Sequence, residues 1–199
     1  MMKKQQNPVK SKGFTIVELI TTTFILLLLT LNLFWMITAG ISTWHISVTR
    51  TANHQNLRLT MNKISLDMKD SNVGVFTNNT STSPQAFSFL SAVDSNGMFK
   101  TGTDGKPVWQ KYVIYYIPTG TKNLVRKEVF GTFTTALTTS QLTTYCDGNG
   151  KLIAPNVTGI NATPNVSNDS VSFTLTVSDT NKNGKSDTQS MNETVYLRN

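Results

Sequence analysis

Residues 13–40 read GFTIVELITTTFILLLLTLNLFWMITAG, and this stretch decides the fold of the chain. No residue from position 19 to position 49 carries a fixed charge, and four successive leucines lie near the middle of the stretch. About 20 apolar residues are enough for a helix to cross the hydrocarbon core of a bilayer. The stretch therefore predicts one transmembrane helix over about residues 16–40, with the acidic Glu18 near its start.

Basic residues lie mainly on the amino-terminal side of this segment. Lys3, Lys4, Lys10 and Lys12 precede it, whereas Arg50 is the only basic residue that follows it closely. Because the cytoplasmic flanks of membrane helices are enriched in Lys and Arg, we expect the amino terminus to be cytoplasmic. The prediction is a single-pass protein of the cytoplasmic (inner) membrane whose larger, carboxy-terminal part is extracytoplasmic.

A cleaved secretory signal is the alternative interpretation of the same features. Such a signal also begins with basic residues, and Thr38-Ala39-Gly40 has the small side chains of a cleavage site. The apolar core of a secretory signal is about 7–15 residues long, however, and a carboxylate at its entrance would hinder export. Both points favour a membrane anchor that is retained.

The run KGFTIVELI, residues 12–20, resembles the cleavage and methylation site of type IV pilins and pseudopilins. The resemblance implies that residues 1–13 are a cytoplasmic leader, and that a prepilin peptidase cuts between Gly13 and Phe14 and methylates the new amino terminus. It implies that the partners are other pilin or pseudopilin subunits, an inner-membrane assembly platform and, before assembly, membrane lipid. The expected final location is an extracellular pilus or pseudopilus.

The carboxylate of Glu18 needs a partner in a membrane helix. An acidic group there costs up to about 3 kcal/mol at the helix centre, less near an end, and is normally paired or functional. Cleavage after Gly13 would create an ammonium group on Phe14 at a similar depth. The resemblance implies that this ammonium pairs with Glu18 of a neighbouring subunit, which would fix the axial register of assembly.

Apolar residues continue at helical spacing beyond the membrane segment, and no proline occurs between Pro8 and Pro84. We therefore predict one helix over residues 14–71, with an amphipathic stem after the transmembrane part that packs against the rest of the chain. The predicted apolar stripe consists of Ile41, Trp44, Val48, Leu57, Met61, Ile64 and Met68. Shaft-forming pilins often carry a proline in the buried half of this helix, so its absence here favours a minor subunit.

Residues 72–199, the predicted head, have the composition of an exposed β-rich domain. Thr, Ser and Asn make up 67 of the 199 residues of the chain, and these residues favour strands, turns and polar surfaces. The pattern predicts strands at 86–91, 112–117, 124–130, 171–177 and 193–198, and loops at 78–84, 94–106 and 147–163. The expected fold class is α+β, a long amino-terminal helix packed on an antiparallel β-sheet, with a single core in the head.

The reactive side chains give little support for an enzyme. His45 and His54 both lie on the predicted helix, so the head contains no histidine for Ser-His-Asp, Cys-His or imidazole–metal chemistry. The eight carboxylates of the head are scattered through predicted turns and strands, without the spacing of an acid/base pair. Cys146 is the only cysteine, which we interpret as a buried and unreactive thiol. We expect no catalytic residues.

Residues 179–187, DTNKNGKSD, resemble part of a calcium-binding loop. Oxygen-bearing side chains occupy loop positions 1, 3, 5 and 9, and glycine occupies position 6. The candidate ligands are Asp179, Asn181, Asn183 and Asp187. Position 12 is Ser190 in place of the bidentate Glu of an EF-hand, and a β-hairpin with its turn at Asn183-Gly184 is the alternative. Calcium is the one cofactor that the sequence suggests.

The formal net charge of +7 raises the question of nucleic-acid binding. The leader contributes four lysines and no acidic residue, and the head holds ten Lys or Arg against eight Asp or Glu. Tyr112, Tyr115 and Tyr116 near Lys111 have the side chains needed to stack on bases, but strand tyrosines usually belong to a core or a sheet surface. We do not expect this subunit to bind nucleic acid directly.

These features together resemble a minor pilin or pseudopilin that polymerises through its apolar helix and acts at the tip or in initiation. The stem around Leu66-Asp67-Met68, the YVIYY strand at 112–116 and the later Leu124-Val125-Arg126 are similar to the PilW and J-type minor pseudopilin branch. A pseudopilin of a type II secretion or competence DNA-uptake system is one alternative. A monomeric membrane-anchored protein that binds a surface ligand is another.

Overall fold

The computed structural model describes Gly13 and residues 15–80, 83–180 and 186–197. The chain divides into two compact units, residues 1–48 and residues 49–199. Helix α1 (Ile16–Lys69) begins in the first unit and ends in the second. The predicted α+β class is confirmed, because one long apolar helix is combined with an antiparallel β domain.

The described part of the first unit is the amino-terminal part of α1, and its side chains are exposed. The exposed residues include large apolar ones such as Phe34, at 67%, and Trp35, at 74%. A helix that is apolar on all sides is stable only in apolar surroundings. By length and composition α1 can cross a membrane, as the sequence predicted.

The second unit contains two antiparallel sheets. The first has the order β1-β2-β3-β4-β5, and its strands are β1 (Phe76–Asn79), β2 (Gln85–Ser91), β3 (Lys111–Ile117), β4 (Leu124–Phe130) and β5 (Lys151–Ala154). The second has the order β6-β7-β8, and its strands are β6 (Val157–Asn165), β7 (Ser170–Thr180) and β8 (Ser186–Tyr196). A short helix, α2 (Thr139–Tyr145), lies between β4 and β5 in the sequence. Neighbouring strands within each sheet are antiparallel.

The main core is formed by the last turns of α1 and one face of each sheet. Leu57, Met61, Ile64 and Met68 of α1 are buried in it, together with side chains from the two sheets. The buried sheet residues are Phe87, Phe89, Val113, Tyr115, Ile117, Leu124, Ala154, Val157, Ile160, Ala162, Val171, Phe173, Leu175, Val177 and Val195. The prediction that the stem packs against its own head is confirmed for this part of the helix.

The upstream half of the predicted apolar stripe is not part of this core. Ile41, Trp44 and Val48 are 54%, 69% and 50% exposed. All three belong to the first unit, whereas burial along α1 begins at Asn53. The stripe prediction was wrong for these residues, because helical spacing alone does not indicate whether an apolar side chain faces a protein core or lipid.

A second, smaller core lies on the opposite face of the five-stranded sheet. Successive side chains of a strand point to opposite faces, so Tyr112, Ile114 and Tyr116 of β3 enter this second core. Leu142 of α2 and Leu137 before it cover them. The expectation of a single core was therefore wrong, and the reason is that α2 was not predicted.

Two amide side chains join the sheets. The backbone N–H of Ile160, on the edge of β6, donates to the side-chain oxygen of Gln85 in β2 at 3.0 Å. The side-chain amide of Asn78 in β1 donates to the backbone carbonyl of Ala162 at 2.6 Å. Amide groups thus satisfy edge positions of β6 that a neighbouring strand would otherwise occupy.

A chain of charged groups fixes the end of α1 to the first sheet. Arg126 Nε lies 2.6 Å from Asp67 Oδ2, and the Tyr115 hydroxyl donates to the same carboxylate at 2.5 Å. Arg126 also reaches Glu128 at 2.8 Å, which in turn pairs with Lys111 at 2.7 Å. Burial, and then the Asp67 charge, raise the pKa of Tyr115 well above its usual value, so this hydroxyl remains a donor.

Two further contacts join α1 to β8. The Arg50 guanidinium binds Asp187 through two nitrogens, at 2.9 and 3.0 Å. The Ser65 hydroxyl donates to Glu193 at 2.8 Å. Arg50 contacts Asp187, and Ser65, further along the helix, contacts Glu193, further along the strand. Strand β8 therefore runs alongside residues 50–65 of α1 in the same direction.

Several predicted strands are confirmed, and others were misplaced. Strands β2, β3, β4 and β7 lie where alternation predicted them, and the segment 94–106 carries only isolated bridges, to Val93 and Pro107, among the described residues. The predicted loop 147–163 was wrong, because it contains β5 and most of β6. The predicted loop 78–84 was wrong at its start, because β1 ends at Asn79. The last strand begins at Ser186, seven residues before the predicted start at 193.

We expect Asp67→Ala to lower the free energy of unfolding by about 2–4 kcal/mol, because it leaves the largely buried Arg126 without its partner on α1. Asp70→Ala is the matched control, since the described residues offer Asp70 no hydrogen bond or ion pair. Near-ultraviolet circular dichroism of the full chain in mild detergent, followed through a urea titration, measures both variants. Equal losses for the two variants would contradict an anchoring role for Asp67.

Candidate functional site

Glu18 lies in the first turn of α1, and the other residues of the predicted processing and assembly site, Gly13 and Phe14, precede that helix in the sequence. Gly13 is described and exposed, whereas Phe14 lies outside the described residues. A Cβ atom added to Gly13 would meet no heavy atom within 4 Å. Packing within the described chain therefore does not require glycine at this position.

Glu18 takes part in a capping box with Thr15. The Thr15 backbone N–H and hydroxyl both donate to Glu18 Oε2 at 3.0 Å. The Glu18 backbone N–H donates in return to the Thr15 hydroxyl at 3.3 Å, and the Thr15 carbonyl accepts the backbone N–H of Leu19 at 3.1 Å. This reciprocal arrangement satisfies donors that the first turn of any helix leaves free.

The capping role of Glu18 was missed in the sequence, although the signal was present. Thr15-Ile16-Val17-Glu18 has the T-x-x-E spacing that identifies a capping box before an apolar run. Both groups that donate to the carboxylate, the Thr15 backbone N–H and hydroxyl, are uncharged, so its negative charge is not neutralised. Among the described residues the second oxygen, Oε1, has no hydrogen-bond donor, and it remains open to a partner.

The threonine and serine hydroxyl groups of the apolar segment are satisfied within the helix. Between residues 21 and 43 each threonine and serine hydroxyl donates to a backbone carbonyl three or four positions earlier, at 2.7–3.1 Å. Such internal bonds allow hydroxyl groups to lie in an apolar medium at little cost. Glu18 differs from them because it carries a charge.

The proposed calcium ligands are only partly described. Asn181 and Asn183 lie outside the described residues, while Asp179 of β7 and Asp187 of β8 face each other across the hairpin. Both carboxylate oxygens of Asp187 are bound by Arg50. A cation at this loop would have to compete with that guanidinium, and calcium binding stays a prediction.

The reactive groups of the head have structural partners. Lys127 binds Asp147 at 2.8 Å, and its ammonium lies 5.7 Å from the ring centroid of Tyr145. Cys146 is the residue after Tyr145 and is half-buried. Its thiol lies 3.2 Å from the Leu142 carbonyl oxygen. Burial raises the pKa of the Cys146 thiol to about 11. The positive charge of Lys127 lowers this pKa, and the negative charge of Asp147 raises it.

The head also carries an open groove of about 330 Å³ between the two sheets. Its lining is uncharged and mostly polar, and it consists of Thr80, Gln85, Gly159, Ile160, Asn161, Thr174 and Thr176. The Gln85 oxygen is already engaged by the Ile160 N–H. The groove therefore offers hydroxyl and amide groups, without a charged side chain to select a ligand.

Comparison with known proteins adds no relative. A scan against protein-family models and searches of the curated proteins and of the solved structures found no match to this chain. The functional interpretation therefore depends on the residues of the chain and on the chemistry they can perform.

We expect the native Cys146 thiol to be alkylated at pH 8 about a hundredfold more slowly than the same thiol in the urea-unfolded chain. A pKa near 11 leaves only a small fraction of the reactive thiolate, compared with about 8.5 for a free cysteine. The rate should rise with pH up to that value. Mass spectrometry of iodoacetamide time courses measures it, and equal native and unfolded rates would contradict a protected thiol.

Proposed function

We propose that the protein is a minor pilin or pseudopilin, a subunit that is processed at Gly13 and assembled through α1 into a filament of the type IV pilus kind. One observation carries the proposal: Glu18 places a charged carboxylate, with only the uncharged Thr15 as its described partner, at the start of a helix whose residues 19–49 carry no fixed charge. A carboxylate in this position is costly unless a cation meets it.

Placement in the membrane is the first step of this function. The charge-free segment from residue 19 onward is long enough to span the hydrocarbon core, and the lysines before it favour retention of the amino terminus in the cytoplasm. The head is then extracytoplasmic. In this state residues 16–40 of α1 are surrounded by lipid, which is consistent with the exposed apolar side chains of that part of the helix.

Processing would supply the missing cation. Hydrolysis of the peptide bond between Gly13 and Phe14 releases the leader and leaves an ammonium group on Phe14. Gly13 has open space around it, so a requirement for glycine would come from the peptidase and not from the fold. Transfer of a methyl group from an electrophilic methyl donor, with loss of one proton from the amine, leaves a secondary amine that is again protonated at neutral pH.

Assembly would then join the two charges of different subunits. Glu18 Oε1 is available while Oε2 is held by Thr15, so the carboxylate can accept from an incoming ammonium without unfolding the first turn. In a dry helix bundle such a pair fixes the axial position of one subunit against the next. The head would follow, because Asp67 and the apolar residues of the stem bind it to the end of α1.

We expect the mature chain from host membranes to begin at Phe14 with an N-methyl group. Gly13→Glu should block processing because it puts a bulky charge at the scissile bond, whereas Gly40→Ala, at a glycine with equally open surroundings, should leave it unchanged. Intact-mass and amino-terminal peptide analysis measure both. A mature chain that starts near residue 41 would indicate conventional signal cleavage and would exclude the pilin function.

Two substitutions at the first turn separate the capping role of Glu18 from its charge. Glu18→Gln keeps an acceptor for the Thr15 N–H but removes the charge, so we expect normal membrane insertion and at least a tenfold loss, about 1.4 kcal/mol, of recovery in sheared filaments. Thr15→Val removes the hydroxyl of the capping box and keeps the charge, so recovery should be nearly normal. Immunoblots of sheared and membrane fractions measure both variants, and the reverse order of effects would show that Glu18 acts only as a cap.

A further inference from the structure

Among the uncharged polar side chains described in the apolar segment, Asn32 has the largest unfilled hydrogen-bonding capacity. Its amide nitrogen donates to the Leu28 carbonyl at 2.8 Å. The second N–H and the side-chain oxygen have no partner among the described residues, in contrast to the hydroxyl groups, which are satisfied by backbone carbonyls. Asn32 lies about 6 Å along the helix from the middle of residues 16–40, so lipid would supply no partner either.

Residues at seven-residue spacing lie on the same side of a helix as Asn32, and in this chain they are apolar or small. Ile25, Asn32 and Ala39 are seven residues apart, and Leu29 and Met36 each lie four residues after a member of this row. Side chains at this spacing form one continuous seam along a helix that pairs with another at a small crossing angle. Thr30 and Thr38 lie about 120° or more around the helix from Asn32 and are outside the seam.

The side chains of the seam indicate that its partner is a second copy of the same helix. Copies of one chain enter the membrane in the same direction, so two parallel copies place the same residue at the same depth. A carboxamide has both a donor and an acceptor, so two Asn32 side chains can each donate an N–H to the oxygen of the other. Ala39, one repeat further along, is small enough to let the two backbones approach.

We propose that residues 25–39 form a homotypic interface, in which two parallel copies of the chain pair in the membrane through reciprocal Asn32 hydrogen bonds. This inference rests on the membrane placement proposed above, but not on cleavage after Gly13 or on filament formation. The pair would be a membrane-resident form of the protein, distinct from any contact made by Glu18.

Disulfide cross-linking of the full chain in native membranes tests the interface. Each variant carries Cys146→Ser and one new cysteine, either on the seam, as Leu29→Cys or Met36→Cys, or off it, as Leu27→Cys or Phe34→Cys. We expect oxidation to produce covalent dimers for the two seam positions and few or none for the other two. In the Met36→Cys background, Asn32→Leu should reduce the dimer yield by about fivefold to thirtyfold at low protein density, while Thr30→Val should not.

Each outcome has a defined meaning. Equal cross-linking at all four positions indicates random collision and overturns the seam, and so does a seam pattern that Asn32→Leu leaves unchanged. Membrane-bound protein without any dimer overturns the inference and leaves the proposed pilin function intact. Protein found in the soluble fraction overturns both, because membrane placement is then wrong. Rescue of dimer yield by Asn32→Gln supports the amide pair over a purely steric role.

Discussion

A charge in an apolar helix has to be compensated, and Glu18 imposes this requirement at the first turn of α1. Thr15 donates two hydrogen bonds to one carboxylate oxygen, which orients the side chain but leaves its charge in place. A cation of the same chain or of a neighbour is the remaining solution in a membrane. The proposed processing after Gly13 would generate that cation only when the leader has been removed, which would make assembly dependent on maturation.

Ion pairs also attach the head to the end of α1. Arg126 is largely buried and is held between Asp67 on the helix and Glu128 on the same strand. Burial raises the pKa of Glu128, but the hydrogen bonds and positive charges of Lys111 and Arg126 together lower it below its usual value, so its carboxylate stays ionised at neutral pH. In the proposed filament, a subunit held by its apolar helix would transmit force to its head through this anchor and through the adjacent apolar core.

The sequence predicted those parts of the fold whose signals are local and regular. The uncharged apolar run and the alternation from Val171 to Val177 indicated α1 and β7 without reference to the rest of the chain. Strand β6 was missed because the register shifts between Val157 and Gly159, which interrupts the alternation of buried residues. Helix α2 was missed although Thr138 caps it, because seven residues are too few for a clear helical period.

Contacts between residues that are far apart in the sequence could not be predicted from local patterns. Asp67 and Arg126 are 59 positions apart, and nothing in their local sequence indicates that they meet. The pairing of Arg50 with Asp187 likewise depends on how β8 lies beside α1. At the candidate site the sequence identified Gly13 and Glu18, whereas the open oxygen of Glu18 became visible only from the geometry of the Thr15 capping box.

The contact between the mature amino terminus and Glu18 is the central claim, and solid-state NMR measures it most directly. This protein, labelled with ¹³C at the Glu18 carboxylate, is assembled with partner pilin subunits labelled with ¹⁵N at their mature amino termini, so that only contacts between different chains produce a dipolar signal. We expect a nitrogen–carbon distance of about 4 Å, that of an ion pair. Absence of this signal in assembled material, with Glu18 bound only to Thr15, would contradict it.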